Sequence, residues 1–236
     1  LYLKSKKKKN RILEKNENFK ILIAAHDFND APHVHKDLIF EDMFEWLNFL
    51  GRKSLNNSRY DWYIKLHPSD YDANKNKFKY FLSKYKKFKL LPKNVSHNQL
   101  INDGINCVLT CYGSIGHEYP FFRIPVINAG HNPHIGYNFN FHPKTKKDYE
   151  NLIDKIESLR VNKKYNNEIY QFYMVRYFLD YNLFPDIRNT NSLNNIEIFE
   201  TFFLRYDKKN IEKIIDDYNG FIYSNERRLI SNKQLK

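Results

Sequence analysis

The chain has 236 residues, and its 42% hydrophobic and 17% aromatic content excludes an intrinsically disordered protein. Eight Lys and Arg against two Glu give +6 within residues 1–20, which is half of the net charge of +12. No run of about 18 apolar residues occurs, so the sequence predicts no transmembrane helix.

The basic segment at residues 1–17 includes the four consecutive lysines 6–9. Such a run could contact an anionic membrane or a nucleic acid. More often it is a solvated tail or an interdomain linker, and we interpret it as one of these two. We expect an α/β domain at residues 18–160 and a helical C-terminal extension at 161–236.

The first predicted strand, residues 19–25, ends in a polar loop that carries His26, Asp27, Asp30, His33 and His35. A metal site would need three or four of these side chains to converge. A polar active-site loop at the carboxyl end of a strand needs no metal. Because no other cluster in the chain has suitable ligand spacing, we favour the loop without a metal.

A helix is predicted over residues 40–50, with Gly51 as its end. The second strand, residues 60–66, leads into His67 and Pro68. Proline cannot continue a central strand, so His67 is predicted at the strand's carboxyl tip, where open parallel sheets bind ligands. Its imidazole could donate to a phosphate oxygen, although an ordinary His-Pro turn would have the same sequence.

Short elements follow: a helix at 74–86, a strand at 88–91, and a helix capped by Ser96 and closed by Gly104.

Cys107 and Cys111 both fall on the next predicted strand, 107–111. At about 3.3 Å per residue their Cα atoms lie about 13 Å apart, too far for a disulfide. We interpret both cysteines as small core residues in a reducing compartment.

The stretch 106–130 predicts strand, tight turn, helix and strand. Gly113 and Gly116 bracket Ser114, which places a glycine-permitted turn and a candidate cap before a helix at 114–122. Free N–H groups at such a helix start attract anions, most often phosphate. Glu118 lies one turn beyond Ser114, and its carboxylate could accept hydrogen bonds from the hydroxyls of a ribose. The alternative is a helix cap followed by a solvated glutamate.

After a strand at 124–128, a helix is predicted from the cap Thr145 to residue 159. Further aromatic-rich helices are predicted at 169–183, 196–206 and 210–218. Single helices between short strands indicate an α/β fold with a Rossmann-like parallel sheet and helices on both faces.

Three blocks carry a resemblance: AHDFNDAPHVHKDLIFEDMFEWL at 25–47, YIKLHP at 63–68 and TCYGSIGHEYPFFRIPVINAG at 110–130. HPKTKKDYENLI at 142–153 also fits. Together they resemble the C-terminal, nucleotide-binding half of GT-B-type glycosyltransferases of bacterial capsule and surface-polysaccharide biosynthesis. A His-Pro after a strand, followed by a Gly-Ser or Gly-Thr turn and a helical Glu, recurs in bacterial sialyltransferases, Kdo transferases and glycerophosphate polymerases.

The resemblance implies that His67, Gly113 and Ser114 bind the donor phosphate. It also implies that Glu118 holds the ribose. By the same resemblance, His26, Asp27 and Asp30 face the interdomain cleft as candidate catalytic residues, with Asp27 or Asp30 as a candidate base.

The implied activity is metal-independent, cofactor-independent transfer of a sugar from a nucleotide-sugar to a glycan or glycolipid. The first expected sugar donor is a CMP-linked sugar such as CMP-Kdo, and the second is a UDP-sugar. The expected location is the cytoplasm, with peripheral association at the inner face of the membrane. In this family an N-terminal domain supplies the acceptor site, so either residues before Leu1 are missing or the chain is not a complete transferase.

Other interpretations fit the same sequence. Transfer of an alditol phosphate from a CDP donor, or epimerisation of a UDP-sugar, would use the same phosphate site. A basic nucleic-acid-binding protein would explain the pI of about 9.4, although the charge is concentrated at one terminus. An inactive scaffold is a further alternative.

Overall fold

The structure, a computed structural model, describes residues 10–26, 38–55, 58–67 and 71–174. The chain divides into two compact units, Leu1–Ile169 and Tyr170–Lys236. The helices predicted at 196–206 and 210–218, and most of the one at 169–183, lie outside the described residues. The predicted domain boundaries at 17 and 160 therefore stay predictions.

A five-stranded parallel sheet forms the centre of the first unit, in the order β3-β2-β1-β4-β5. The strands are β1 Phe19–Ala24, β2 Tyr60–Lys65, β3 Phe88–Leu90, β4 Cys107–Thr110 and β5 Val126–Asn128. A helix connects each strand to the next, which is the arrangement that parallel pairing requires. The predicted Rossmann-like α/β sheet is therefore confirmed.

Six α-helices lie in the described part of the chain. They are α1 Met43–Leu55, α2 Tyr71–Lys84, α3 His97–Asp103, α4 Ile115–Phe121, α5 Lys146–Asp154 and α6 Asn166–Met174. Within residues 10–26, 38–55, 58–67 and 71–174, no helix has the length and apolar character that crossing a bilayer requires.

Side chains alternate between the two faces of the sheet, and each face has its own core. One core packs strand residues such as Ile23 and Ile64 against α1, α2 and α5. The other core, which we call the α3–α4 face, packs Leu22 and Val108 against Leu100 of α3 and Tyr119 of α4. Helices thus cover both faces, and the carboxyl ends of the strands form one shared edge.

Several predicted helix ends are confirmed. Ser96 accepts a hydrogen bond from the Gln99 N–H at 3.2 Å, and Gly104 closes α3 with a φ of 96°. Thr145 likewise accepts from the Asp148 N–H at 3.1 Å. The helix that Thr145 begins is shorter than predicted, since α5 ends at Asp154 and a separate 3-10 turn follows at Ile156–Ser158.

The prediction that Gly51 ends the first helix is wrong, because α1 continues through it to Leu55. A Cβ at Gly51 would collide with the Tyr85 ring, so this glycine allows a close approach inside the helix and is not a cap. The prediction that the cysteines are unpaired core residues is confirmed, since Cys107 and Cys111 are free and buried. Burial raises the pKa of both thiols far above the ordinary range.

Candidate functional site

The strand register aligns four residues across the α3–α4 face, just inside the carboxyl edge of the sheet. Ala24 pairs with Lys65 on one side and with Thr110 on the other, and Thr110 pairs with Asn128. We call Lys65, Ala24, Thr110 and Asn128 the edge row. Strand alternation gives the residues two positions further along the same orientation.

Two positions beyond Lys65, Ala24 and Thr110 lie His67, His26 and Tyr112, which we call the outer row. The rings of His26 and His67 are stacked, with centroids 6.3 Å apart and planes 26° apart. Tyr112 meets His26 edge-on with centroids 6.1 Å apart. The structure thus brings together two of the histidines singled out in the sequence. Asp27 and Asp30 lie outside the described residues.

Tyr112 leads directly into the turn before α4. Gly113 has a φ of 132°, a value that favours glycine. Ser114 occupies the N-cap position, but its backbone is already helical, with φ −61° and ψ −24°, and its side chain makes no capping hydrogen bond. The predicted cap is therefore wrong, because a capping side chain needs an extended backbone. The Ser114 side chain is exposed and available to a ligand.

Gly116 is inside α4 and not in the turn. A Cβ there would collide with the ring of His134. Only glycine therefore leaves room for this ring against α4. Glu118 follows one turn after Ser114, and its N–H donates to the Ser114 carbonyl at 3.1 Å. Glu118 and Ser114 therefore lie on the same side of α4, as the sequence spacing predicted.

Buried Asn132, which the sequence analysis did not single out, holds the turn in place. Its Oδ1 accepts from the Gly113 N–H at 2.9 Å. Its Nδ2 lies 3.2 Å from both the Cys111 and Gly130 carbonyls and 3.0 Å from Asn128 Oδ1. The Gly113 N–H thus already donates a hydrogen bond to Asn132. A phosphate at this turn would therefore have to be bound by N–H or hydroxyl groups of the residues that follow Gly113.

Lys65 is the most unusual residue of the edge row. It is 6% exposed, and no described residue forms a hydrogen bond or an ion pair with it. Burial lowers the pKa of its ammonium group. Burial, and next the charge of Lys65, lower the pKa of His97 to about 4. His97 is therefore neutral near pH 7, with Nδ1 2.9 Å from the Tyr119 hydroxyl.

His117 belongs to α4, and the rings of His134 and His142 complete a cluster of three histidines. The His134 ring centroid is 5.7 Å from that of His117 and 5.2 Å from that of His142. Among the described residues, no group of three or more His, Cys, Asp or Glu side chains could hold a metal ion. The pair His33 and His35 is not among those residues.

Buried His134 and half-buried His142, whose ring nitrogens are shielded from solvent, predict a loss of stability in mild acid. Burial lowers the pKa of His134 to about 3 and that of His142 to about 4, from 6.5 in the unfolded chain. Between those values the unfolded chain binds protons that the folded protein does not. The stability present above pH 6.5 is therefore lost as the pH falls toward 4.

His142→Leu is expected to reduce this pH dependence by up to about 1.4 kcal/mol per pH unit. Neither ring nitrogen of His142 has a hydrogen-bond partner within the described ranges, so an apolar side chain costs little at pH 7. Urea unfolding of both proteins from pH 7 to pH 5 measures the effect. Parallel curves for the variant and the wild type would contradict the assignment.

An open pocket of about 360 Å³ lies elsewhere on the unit. It is lined by Asn140, Phe141, His142, Pro143, Asp148, Asn151, Leu152 and Lys155. It shares no residue with the edge row or the outer row. Because it lacks residues from the strand ends of β1, β2 and β4, we consider it a less favourable ligand site than the shared edge.

Comparison with protein-family models, with curated proteins and with solved structures finds no match for this chain. Its function must therefore be inferred from the geometry of the carboxyl edge. That edge combines His26, His67 and Tyr112 with the Gly113 turn and a buried lysine, all on one face of a parallel sheet.

Proposed function

We propose that this chain binds a nucleotide-sugar at the carboxyl edge of its sheet and acts as a glycosyltransferase, or as the donor-binding half of one. The proposal places it in bacterial capsule or surface-polysaccharide biosynthesis. The supporting observation is the convergence of His26 and His67 beside the Tyr112–Gly113 turn. Parallel α/β sheets bind ligands at this edge, between the loops that follow the strands.

Each polar group has a role in this scheme. The imidazole of His67 donates to the donor phosphate, and the Ser114 hydroxyl gives a second contact. The Glu118 carboxylate accepts hydrogen bonds from the ribose hydroxyls. Hydrogen-bond donors that are already oriented toward the charge that develops in a transition state typically stabilise that state by about 3 kcal/mol each.

The proposed reaction is a displacement at the anomeric carbon. The acceptor hydroxyl oxygen forms a bond to that carbon while the bond to the phosphate oxygen breaks. The phosphate leaves with the electron pair, and its charge is held by His67. A base removes the acceptor proton, for which Asp27, Asp30 and His26 are the candidates.

A CMP-linked sugar is the first proposed donor and a UDP-sugar the second, with a glycan or glycolipid as acceptor. CDP-alditol phosphate transfer and UDP-sugar epimerisation would use the same phosphate contacts. No metal is needed in this scheme, because the His67 imidazole and the start of α4 can take its place at the phosphate.

A thermal-shift panel tests the proposal. CMP, CDP, UDP, GDP and a short single-stranded DNA are each added at two salt concentrations. A nucleotide at about 100 times its Kd adds about 2.7 kcal/mol of stability, so we expect a shift of several degrees with one nucleotide at both salt concentrations. A shift with DNA alone, lost at high salt, would instead favour nucleic-acid binding.

Glu118→Gln is expected to weaken binding of that nucleotide about tenfold, because a neutral amide is a poorer acceptor for ribose hydroxyls. The side chain is half-exposed, so the free energy of unfolding should change by less than about 0.5 kcal/mol. Titration calorimetry measures the affinity, with Glu17→Gln on the exposed N-terminal segment as control. A lower melting temperature with unchanged binding would show that Glu118 is structural.

A further inference from the structure

Lys65 carries a charge that the described part of the protein does not balance. Its side chain is buried at the carboxyl end of β2, with 6% exposure. No carboxylate in the described residues lies within ion-pair distance of it. Burying a cation in this way is costly unless an anion compensates for it. An anion bound at the strand edge would compensate for this charge.

Among the described residues of the α3–α4 face, the polar side chains of Thr110 and His97 supply no negative charge near Lys65. Thr110 directs its hydroxyl to the carbonyls of Ala24 at 3.2 Å and Tyr112 at 3.1 Å. His97 is neutral near pH 7 and is itself affected by the Lys65 charge. Both groups are polar, but neither compensates for an ammonium ion.

Lys65 is placed where it can act together with His67. The two residues are two positions apart on β2 and its extension, which is about 7 Å along the strand and on the same face. The four-carbon stem of a lysine can carry its ammonium group over that distance. Ala24, the register partner of Lys65, contributes only a methyl group to the edge row.

We propose that Lys65 is the buried cation of an anion subsite that binds the phosphate group of the ligand. Its placement below His67 makes this the phosphate of the nucleotide, which deepens the proposed function and depends on it for the identity of the ligand. Lys65 supplies a point charge from beneath the anion, and His67 contacts the anion from the exposed side. Binding then compensates the buried charge.

The test uses Lys65→Met, which keeps a similar length and removes the charge. Lys79→Met, an exposed lysine of α2, is the matched control. Inorganic phosphate, CMP and cytidine are titrated into each protein by calorimetry, and each protein is unfolded in urea without ligand. Cytidine has the base and ribose of CMP but no phosphate, so it separates the two parts of the ligand.

We expect Lys65→Met to weaken CMP and phosphate binding at least about tenfold and to leave cytidine binding unchanged. Without ligand, its urea midpoint should equal or exceed that of the wild type, because an uncompensated charge is removed. Lys79→Met should match the wild type in every titration.

The outcomes separate this proposal from the transferase. If CMP binds the wild type and Lys65→Met equally, the Lys65 proposal is overturned while nucleotide binding stands. If phosphate binds and depends on Lys65 but no nucleotide binds, the anion subsite stands and the transferase fails. Absence of both phosphate and CMP binding to the wild type would overturn the anion subsite as well.

Discussion

His67→Ala is expected to weaken nucleotide binding roughly 10- to 100-fold, since a hydrogen bond to a charged group is worth about 1.5–3 kcal/mol. With a turnover assay, kcat should fall by about 100-fold because the same contact holds the charge of the leaving phosphate. The side chain is exposed at the strand tip, so its removal creates no cavity in the core. The stability of the variant should therefore remain close to that of the wild type.

The matched control for this variant is His131→Ala, another exposed histidine. Calorimetry with the nucleotide selected by the thermal-shift panel gives the affinity, and release of free nucleotide from its sugar conjugate gives the turnover. Equal affinity and turnover in the His67 variant and the wild type would remove His67 from the phosphate site. A loss in both variants would point to a general effect of removing imidazoles.

Asn132→Ala is expected to destabilise the protein by about 2–4 kcal/mol, because it leaves several buried polar groups without a partner. The Gly113 N–H would lose its acceptor, and the Cys111 and Gly130 carbonyls would lose a donor. The turn between β4 and α4 would then no longer be fixed. Nucleotide binding should weaken along with stability, since Ser114 and Glu118 follow this turn.

Asn132→Asp separates the two halves of the interaction. It keeps an oxygen that can accept from Gly113 but replaces the donor with a second oxygen facing carbonyl groups, so we expect at least equal destabilisation. Asn102→Ala, at an exposed position of α3, is the control. Urea unfolding within about 0.5 kcal/mol of the wild type for Asn132→Ala would contradict the role of Asn132.

The strands were predictable because each combines a short apolar run with a turn signal directly after it. Pro68 placed His67 at the tip of β2, and Gly113 marked the turn after β4. These signals are local, and parallel pairing then brings the strand ends together. The alignment of His26 with His67 follows from the register of β1 and β2.

Features that depend on tertiary contacts were not predictable in the same way. Gly51 and Gly116 have the sequence signal of helix ends or turns, but distant rings, Tyr85 and His134, explain them. Asn132 acts across 19 residues on the Gly113 turn, a link that no local pattern shows. Lys65 had a usable signal, since strand alternation from His67 places it on the same face. Lysine is so rarely buried that its exposure was the natural assumption.

The central claim, that a nucleotide phosphate binds at the carboxyl edge, is tested most directly by NMR of the histidine imidazoles during titration with CMP. The account predicts saturable shifts of the His26 and His67 signals, whose rings are 6.3 Å apart. His142, which lines the separate pocket, should shift little. Saturable shifts of His142 with His26 and His67 unchanged would contradict the account and place the ligand in the other pocket.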